Sequence, residues 1–300
     1  MRTNFINQLI EEARRNEKIF LLVGDLGYHV IEPFAEEFPD RFLNVGIAEQ
    51  NMAGIAAGLA MTGYNVYFYS IGNFPTIRCL EQIRNDIAYH QANVKVVSVG
   101  AGYAYGSLGA THQATEEIGA LRVLPNMVVA TPGDPLEARA ITKISASYDG
   151  PMYIRLGKAG EKTVHSEDSI DLKIGDICNV ITREGNQTAV FACGNILDAA
   201  LHQINEENLN YDLYSVPFVK PINKEQLINI VKTHPAGLIT IEEHQSSCGM
   251  GSAIVEVLND LYYEGDIEVY PKVKRIAIPD EFADVVGTQV FLREHEGLKL

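Results

Sequence analysis

The chain has 300 residues, 46% of them hydrophobic and 21% charged, and a formal net charge of -15. That length is enough for two domains, each with its own core. The acidic balance, with no basic cluster, argues against nucleic acid and against anionic membrane surfaces as partners.

The four cysteines, Cys79, Cys178, Cys193 and Cys248, lie far apart and form no CxxC pair. That pattern argues against a zinc site or a redox motif and suits a reducing cytoplasm. The longest run of small apolar residues, near 52–61, is too short to span a bilayer. The N-terminal sequence MRTNFINQLIEEARR has no signal-peptide core, and Glu11 and Glu12 argue against a transit peptide. A cytoplasmic protein with no membrane partner is the expectation.

Residues 4–16 place Phe5, Leu9, Ile10 and Ala13 on one helical face. Residues 19–23 are a continuous apolar strand closed by Gly24-Asp25. A second strand ends at 43–45, and Gly46 breaks it. From Ala48 a helix begins that is dominated by small residues, including Gly54 and Gly58. A glycine inside a helix costs about 1 kcal/mol relative to alanine, so another backbone is expected to approach this helix closely. Glu49 is the one acid in its first turn. The position suits an acid drawn to the positive end of a helix. It equally suits a buried carboxylate held for proton chemistry, and spacing does not separate the two.

Further strands are expected at 65–70, 94–99, 128–130 and 152–155, with helices at 75–89 and 136–147. This alternation predicts a parallel sheet with helices on both faces. Between 157 and 172 the pattern weakens and polar residues crowd in. We divide the chain there into a first domain at 1–158, a linker at 159–175 and a second, smaller α/β domain at 176–300. The second domain has expected strands at 188–193, 212–216, 237–241 and 274–278. Its expected helices are 196–204, 224–232 and 251–261. In open α/β sheets ligands sit beyond the carboxyl ends of the strands. Asp25, Glu49, Phe74 and the loop 100–112 follow the first four strands in turn.

Several segments, in order, resemble the second half of the transketolase family, of which deoxyxylulose-phosphate synthase is a close relative. They are GIAEQNMAGIAAGLA, IGNFPTIRCLEQIRND, GSLGATHQATEEIGALRVLPNMVVATPGD and GPMYIRLGK, with ITIEEHQSSCGMGSAI a weaker match. The resemblance implies an α/β fold: a pyrimidine-type, thiamine-diphosphate-binding domain with a parallel sheet, followed by a transketolase C-terminal-like domain. It implies thiamine diphosphate as cofactor and a reaction that moves a ketol unit from a ketose donor to an aldehyde acceptor.

The resemblance also assigns roles. Glu49 matches the catalytic glutamate that hydrogen-bonds the pyrimidine ring nitrogen; such a group can share a proton within one hydrogen bond. Phe74 matches the phenylalanine stacked on the pyrimidine, and Ile71 stands where the family has a second aromatic. His112 matches a histidine near the reacting carbon, with Gln113 and Glu116 supporting it. Asp25 matches an acid close to the cofactor. Arg2 and Lys158 match basic residues that grip a sugar phosphate, and His29 is a third position of that kind. Arg78 and Arg84 read as ion-pairing residues at a subunit interface. Two departures concern the substrate. Leu108 stands where members that bind hydroxylated sugars have an aspartate, and Gly100 replaces a histidine.

The family holds the cofactor diphosphate through Mg2+ with a GDG motif, and the chain carries none. The chain therefore resembles one half of a split enzyme. Its expected partner is an N-terminal transketolase-like subunit that carries the diphosphate and Mg2+ motif. Self-association through the small-residue helix is expected too, giving a heterotetramer. The rival readings are the beta subunit of a 2-oxo-acid dehydrogenase decarboxylase and a non-catalytic partner subunit.

Overall fold

The computed structural model describes residues 1–166 and 169–300. Among these residues the strands are β1 (Ile19–Val23), β2 (Phe42–Asn44), β3 (Asn65–Ile71), β4 (Val94–Val99), β5 (Val128–Ala130) and β6 (Met152–Leu156) in the first part of the chain. The second part adds β7 (Cys178–Ile181), β8 (Thr188–Cys193), β9 (Asp212–Ser215), β10 (Phe218–Lys220), β11 (Gly237–Gln245) and β12 (Val273–Ile278). They form two sheets, ordered β10-β5-β6-β4-β3-β1-β2 and β12-β11-β8-β9-β7.

The central strands of the first sheet are apolar on both faces because helices cover both faces. Val94–Val99 is buried along its whole length. Even Lys95 is inside, where Asn93 Oδ1 and the Tyr148 and Gly150 carbonyls accept its three protons. On one face the helix Arg2–Arg15 buries Phe5, Leu9 and Ala13 beside Tyr67 and Tyr69. On the other the helix Glu49–Met61 buries Met52, Ala53, Ala56 and Ala57 beside Phe68.

The sheets are parallel except at their edges. Phe218–Lys220 leaves the second domain and pairs antiparallel with β5, closing the edge of the first sheet. Cys178–Ile181 pairs antiparallel with β9. Both strands are too short for a two-residue alternation to mark them. The helix expected at 75–89 is broken into a 3-10 turn at Ile77–Cys79, a short α turn at Leu80–Gln82 and a π turn at Ile83–Ala88. The short helices Glu32–Glu37, Glu117–Arg122 and Gln289–His295 also escape the periodicity, each having at most two turns.

The described part of the expected linker is tied to the first domain. Asp134 Oδ2 accepts from the Val164 and His165 amides at 2.9 and 3.2 Å. Its other oxygen caps the helix Pro135–Ser147 by accepting from the Glu137 amide. Glu167 and Asp168, also in that linker, lie outside the described residues. Among the described residues no helix is long and apolar enough to cross a membrane.

Candidate active site

β1 is flanked by β2 and β3, so the chain reverses direction across the sheet there. A crevice at the carboxyl ends is expected at such a point. The helix Glu49–Met61 starts at this edge, and Glu49 is 3% exposed. Its Oε2 accepts from Arg78 Nη1 at 2.8 Å. The Arg78 guanidinium lies 4.3 Å from the centre of the Phe74 ring. Phe74 in turn meets the His112 ring edge-on, with centroids 5.3 Å apart and an interplanar angle of 75°.

Two loops are fastened together to make that contact. The Gly72 carbonyl accepts from Ser98 Oγ at 2.7 Å, and Asn73 Nδ2 donates to the Gln113 carbonyl at 2.6 Å. Gly72 has φ +52°, and a β-carbon there would come within 3.2 Å of the His112 carbonyl oxygen. Glycine meets both demands. Thr111 Oγ1 sits 3.0 Å from His112 Nδ1. Ile71 is half-buried at the end of β3, opposite Val99 of β4.

A second group lies at the ends of β4 and β6. Lys158 Nζ is 4.7 Å above the Tyr105 ring. That ring occupies the space a side chain at Gly100 would need. Arg2 is partly buried, and its Nε is a buried donor with no partner among the described residues. Burial raises the Tyr105 phenol pKa, and the Arg2 charge opposes that rise. The structure therefore gathers Arg2, Lys158, Gly100 and Tyr105. Leu108, in the 3-10 turn Gly106–Leu108 of the same loop, is 54% exposed.

Asp25 and His29 are held by a third set of contacts. Asp25 takes φ +54°, its amide donates to Asn44 Oδ1 at 3.0 Å, and its Oδ1 accepts from Asn44 Nδ2 and the Tyr28 hydroxyl. His29 takes φ +65°, and its amide donates to Glu32 Oε1 at 2.8 Å. Both residues are exposed.

Sequence reasoning missed three features. Arg78 was expected in an ion pair at a subunit interface; it pairs within the chain, with Glu49. The available signal was its place four residues after Phe74, about one helical turn away. Arg84 makes a 2.6 Å hydrogen bond to Asn85 Oδ1. Tyr105, a large aromatic in a glycine-rich loop, was also passed over. So was Glu243 of the second domain, which accepts from the Tyr103 amide, Gln289 and Arg293 and so props the loop 100–112.

The helix Glu49–Met61 leaves Gly54 and Gly58 exposed, with nothing among the described residues within 4 Å of an added β-carbon. The close approach that would explain these glycines is not made among the described residues. Among the described residues no group of three His, Cys, Asp or Glu side chains could hold a metal ion.

A buried carboxylate, an aromatic face and a histidine come together at the carboxyl edge of a parallel sheet, the arrangement of an α/β protein with a ligand crevice at the strand ends. Comparison with known proteins names it further. Residues 1–160 match the transketolase pyrimidine-binding domain, and residues 179–292 match the transketolase C-terminal domain. The chain is 32% identical over 301 residues to one of the subunits of an apulose-4-phosphate transketolase from Phocaeicola vulgatus, covering 99% of this chain and 93% of that one. It is 29% identical over 303 residues to a 6-deoxy-6-sulfo-D-fructose transketolase subunit from a Clostridium species, covering 99% and 90%. Among solved structures it is similar to a split-gene transketolase described as an inactive beta4 tetramer, with a TM-score of 0.84, 35% identity and coverage of 99% and 93%. A transketolase from Leishmania mexicana shares the fold at a TM-score of 0.77 and 18% identity, and there the chain covers 43% of the longer protein. The chain belongs to the transketolase family and corresponds to the C-terminal section of its full-length members.

Proposed function

We propose that this chain is the pyrimidine-holding subunit of a two-component, thiamine-diphosphate-dependent transketolase that moves a ketol unit from a ketose to an aldehyde. The observation that carries this reading is Glu49, buried at a helix start on the carboxyl edge of the sheet, with the Phe74 ring nearby. When bound, thiamine diphosphate supplies the carbanion chemistry. The chain's own groups do the rest. Glu49 would hold the pyrimidine ring nitrogen through one shared hydrogen bond, Phe74 would stack on that ring, and His112 is placed to move protons at substrate oxygens. Asp25 stands beside the cofactor. Arg2 and Lys158 receive an anionic group on the sugar, with His29 further out. The group sits where a guanidinium fork and an ammonium can act together.

The partner in this reading is an N-terminal transketolase-like subunit that holds the diphosphate and Mg2+, and the assembly is a heterotetramer. The exposed glycines of the helix Glu49–Met61 support self-association, since a backbone from another copy can approach them. The dehydrogenase reading would call for a lipoyl-domain partner, and the relatives above carry transketolase names.

Calorimetry tests the assignment. The chain alone, given thiamine diphosphate and Mg2+, is expected to bind weakly and to turn nothing over. With a partner that carries the GDG motif it is expected to transfer ketol units. Tight binding and turnover by the chain alone would sink the split-enzyme reading.

A further inference from the structure

Three of the residues assigned above to the cofactor and to proton transfer meet around one arginine. Arg78 donates to Glu49 at 2.8 Å, and its guanidinium lies over the Phe74 ring at 4.3 Å. Phe74 carries His112 on its edge. Glu49 is almost wholly buried, whereas 45% of the Arg78 side chain is exposed. The arginine therefore reaches inward from the surface and covers both the carboxylate and the aromatic face.

A guanidinium is planar, donates N–H groups in its own plane, and stacks on aromatic rings. An aminopyrimidine is planar, offers a carboxyl group an N–H or a ring nitrogen that shares one proton with it, and stacks on aromatic rings. The two therefore compete for the same two contacts. They cannot both sit flat on this face of Phe74 while bonded to the same Glu49 oxygen.

We propose that Arg78 is a positioning residue that fills the pyrimidine's place in the cofactor-free chain and is displaced when the pyrimidine arrives. Before that, its hydrogen bond keeps Glu49 aimed into the crevice. A buried carboxylate without a partner is strongly disfavoured, so Arg78 leaves only when another donor replaces it. Its route out is short. It stands in the 3-10 turn Ile77–Cys79, at the start of the broken segment, and its outer part already faces solvent. The inference rests on the reading of Glu49 and Phe74 as the pyrimidine site.

The probe is 4-amino-5-hydroxymethyl-2-methylpyrimidine, titrated into the full-length chain and followed by ligand-observed NMR. The variants are Arg78→Ala, Arg78→Lys, Glu49→Gln and the Arg78→Ala/Glu49→Gln pair. Arg78→Ala is expected to bind the pyrimidine about 5- to 20-fold more tightly than the native chain, a change on the order of 1–2 kcal/mol. Arg78→Lys keeps the charge, and so keeps Glu49 paired if the alanine variant does not fold, but it cannot stack as a plane. It is expected to fall between the two. In the assembled two-component enzyme, Arg78→Ala is expected to take up thiamine diphosphate faster in stopped-flow mixing. Weaker pyrimidine binding by Arg78→Ala or Arg78→Lys would make Arg78 a ligand of the cofactor and overturn the proposal. Equal binding by all Arg78 variants, or no binding by any, would overturn it as well. If Glu49→Gln leaves binding unchanged in both backgrounds, the pyrimidine site itself is misassigned, which is a separate failure.

Discussion

The ring of Tyr105 lies against Gly100, in the volume that any side chain at position 100 would claim. Gly100 has φ +97°, a backbone conformation that residues with a β-carbon avoid. Two costs therefore meet at one position. Gly100→Ala is expected to destabilise the chain by about 2–4 kcal/mol, combining overpacking with backbone strain. In a Tyr105→Ala background the overpacking part should vanish, and the strain, on the order of 1–2 kcal/mol, should remain. Urea unfolding of the four chains forms a double-mutant cycle. Strict additivity would mean that the ring does not depend on the glycine. Since Tyr105 also carries Lys158 on its face, the same substitution should loosen that ammonium.

Most of this architecture was readable in the sequence for physical reasons. The runs at 19–23, 94–99 and 188–193 are buried strands in the structure, because a sheet covered on both faces needs continuous apolar stretches. Glu49 was visible as an oddity, a single acid at the head of a small-residue helix. What stayed hidden depends on long-range pairing. Arg78 and Glu49 are 29 positions apart, and no local period links them. Phe218–Lys220 crosses to another domain's sheet on three residues. The helix expected at 75–89 had the right composition, but after Pro75-Thr76 the chain makes a 3-10 turn and a single short α turn before a π turn takes over. Arg155 read as part of an ordinary strand, although it is a fully buried ion in the structure.

That ion is expected to contribute to the pH response of the first domain. Arg155 Nε donates to Glu117 Oε1 at 2.5 Å, with both side chains at most 1% exposed. Burial alone would raise the Glu117 pKa, but Arg155 outweighs it, helped by His244, and the carboxyl ends below its ordinary value. A carboxylate with a depressed folded pKa contributes stability that is fully present above its unfolded value, about 4.3. That stability is lost as the pH falls through the folded value. Glu117→Gln leaves the Arg155 charge without its counterion. Removing one partner of a buried pair costs about 3–5 kcal/mol. Thermal melts from about pH 7 to about pH 3 should find the variant less stable at neutrality and its acid limb shallower than the native one. Parallel curves would mean that Glu117 is not the group being titrated.

Glu49→Gln tests proton sharing at the proposed pyrimidine site. Glutamine keeps the shape and one acceptor oxygen but cannot hand a proton back and forth as a carboxylate does. General acid–base groups typically contribute about 10²- to 10⁴-fold, so exchange of the cofactor's acidic ring hydrogen for deuterium should slow by that range in the assembled enzyme. Assembly with the partner should survive, because glutamine keeps the size and shape of the buried side chain, and in the cofactor-free chain its oxygen can still accept from Arg78 Nη1. Native exchange rates in the variant would return Glu49 to the role of an acid at a helix end.

The proposed donor preference turns on Leu108. It lies in the 3-10 turn Gly106–Leu108, two residues before the second 3-10 turn, Ala110–His112, and it is 54% exposed. The loop is held from behind by Glu243 through the Tyr103 amide, and within it the Leu108 amide donates to the Tyr105 carbonyl at 2.9 Å and the His112 amide to the Gly109 carbonyl at 3.0 Å. An aspartate at this position would accept a hydrogen bond from a sugar hydroxyl. Leucine has no acceptor, and a hydroxyl turned toward it must stay with water or go unpaired, at a cost of about 1–3 kcal/mol once buried. The site should therefore favour donors that lack a hydroxyl at that carbon or carry another group there. Discrimination is large where a site is built to make the bond and modest where it is apolar. We expect a standard ketose phosphate to be used poorly and Leu108→Asp to improve it by about 10-fold, one bond's worth of selectivity. The measurement is kcat/KM for a ketose phosphate and its deoxy analogue, in native and Leu108→Asp enzyme assembled with the partner. A native preference for the hydroxylated donor that Leu108→Asp leaves unchanged would mean that the loop does not read that hydroxyl.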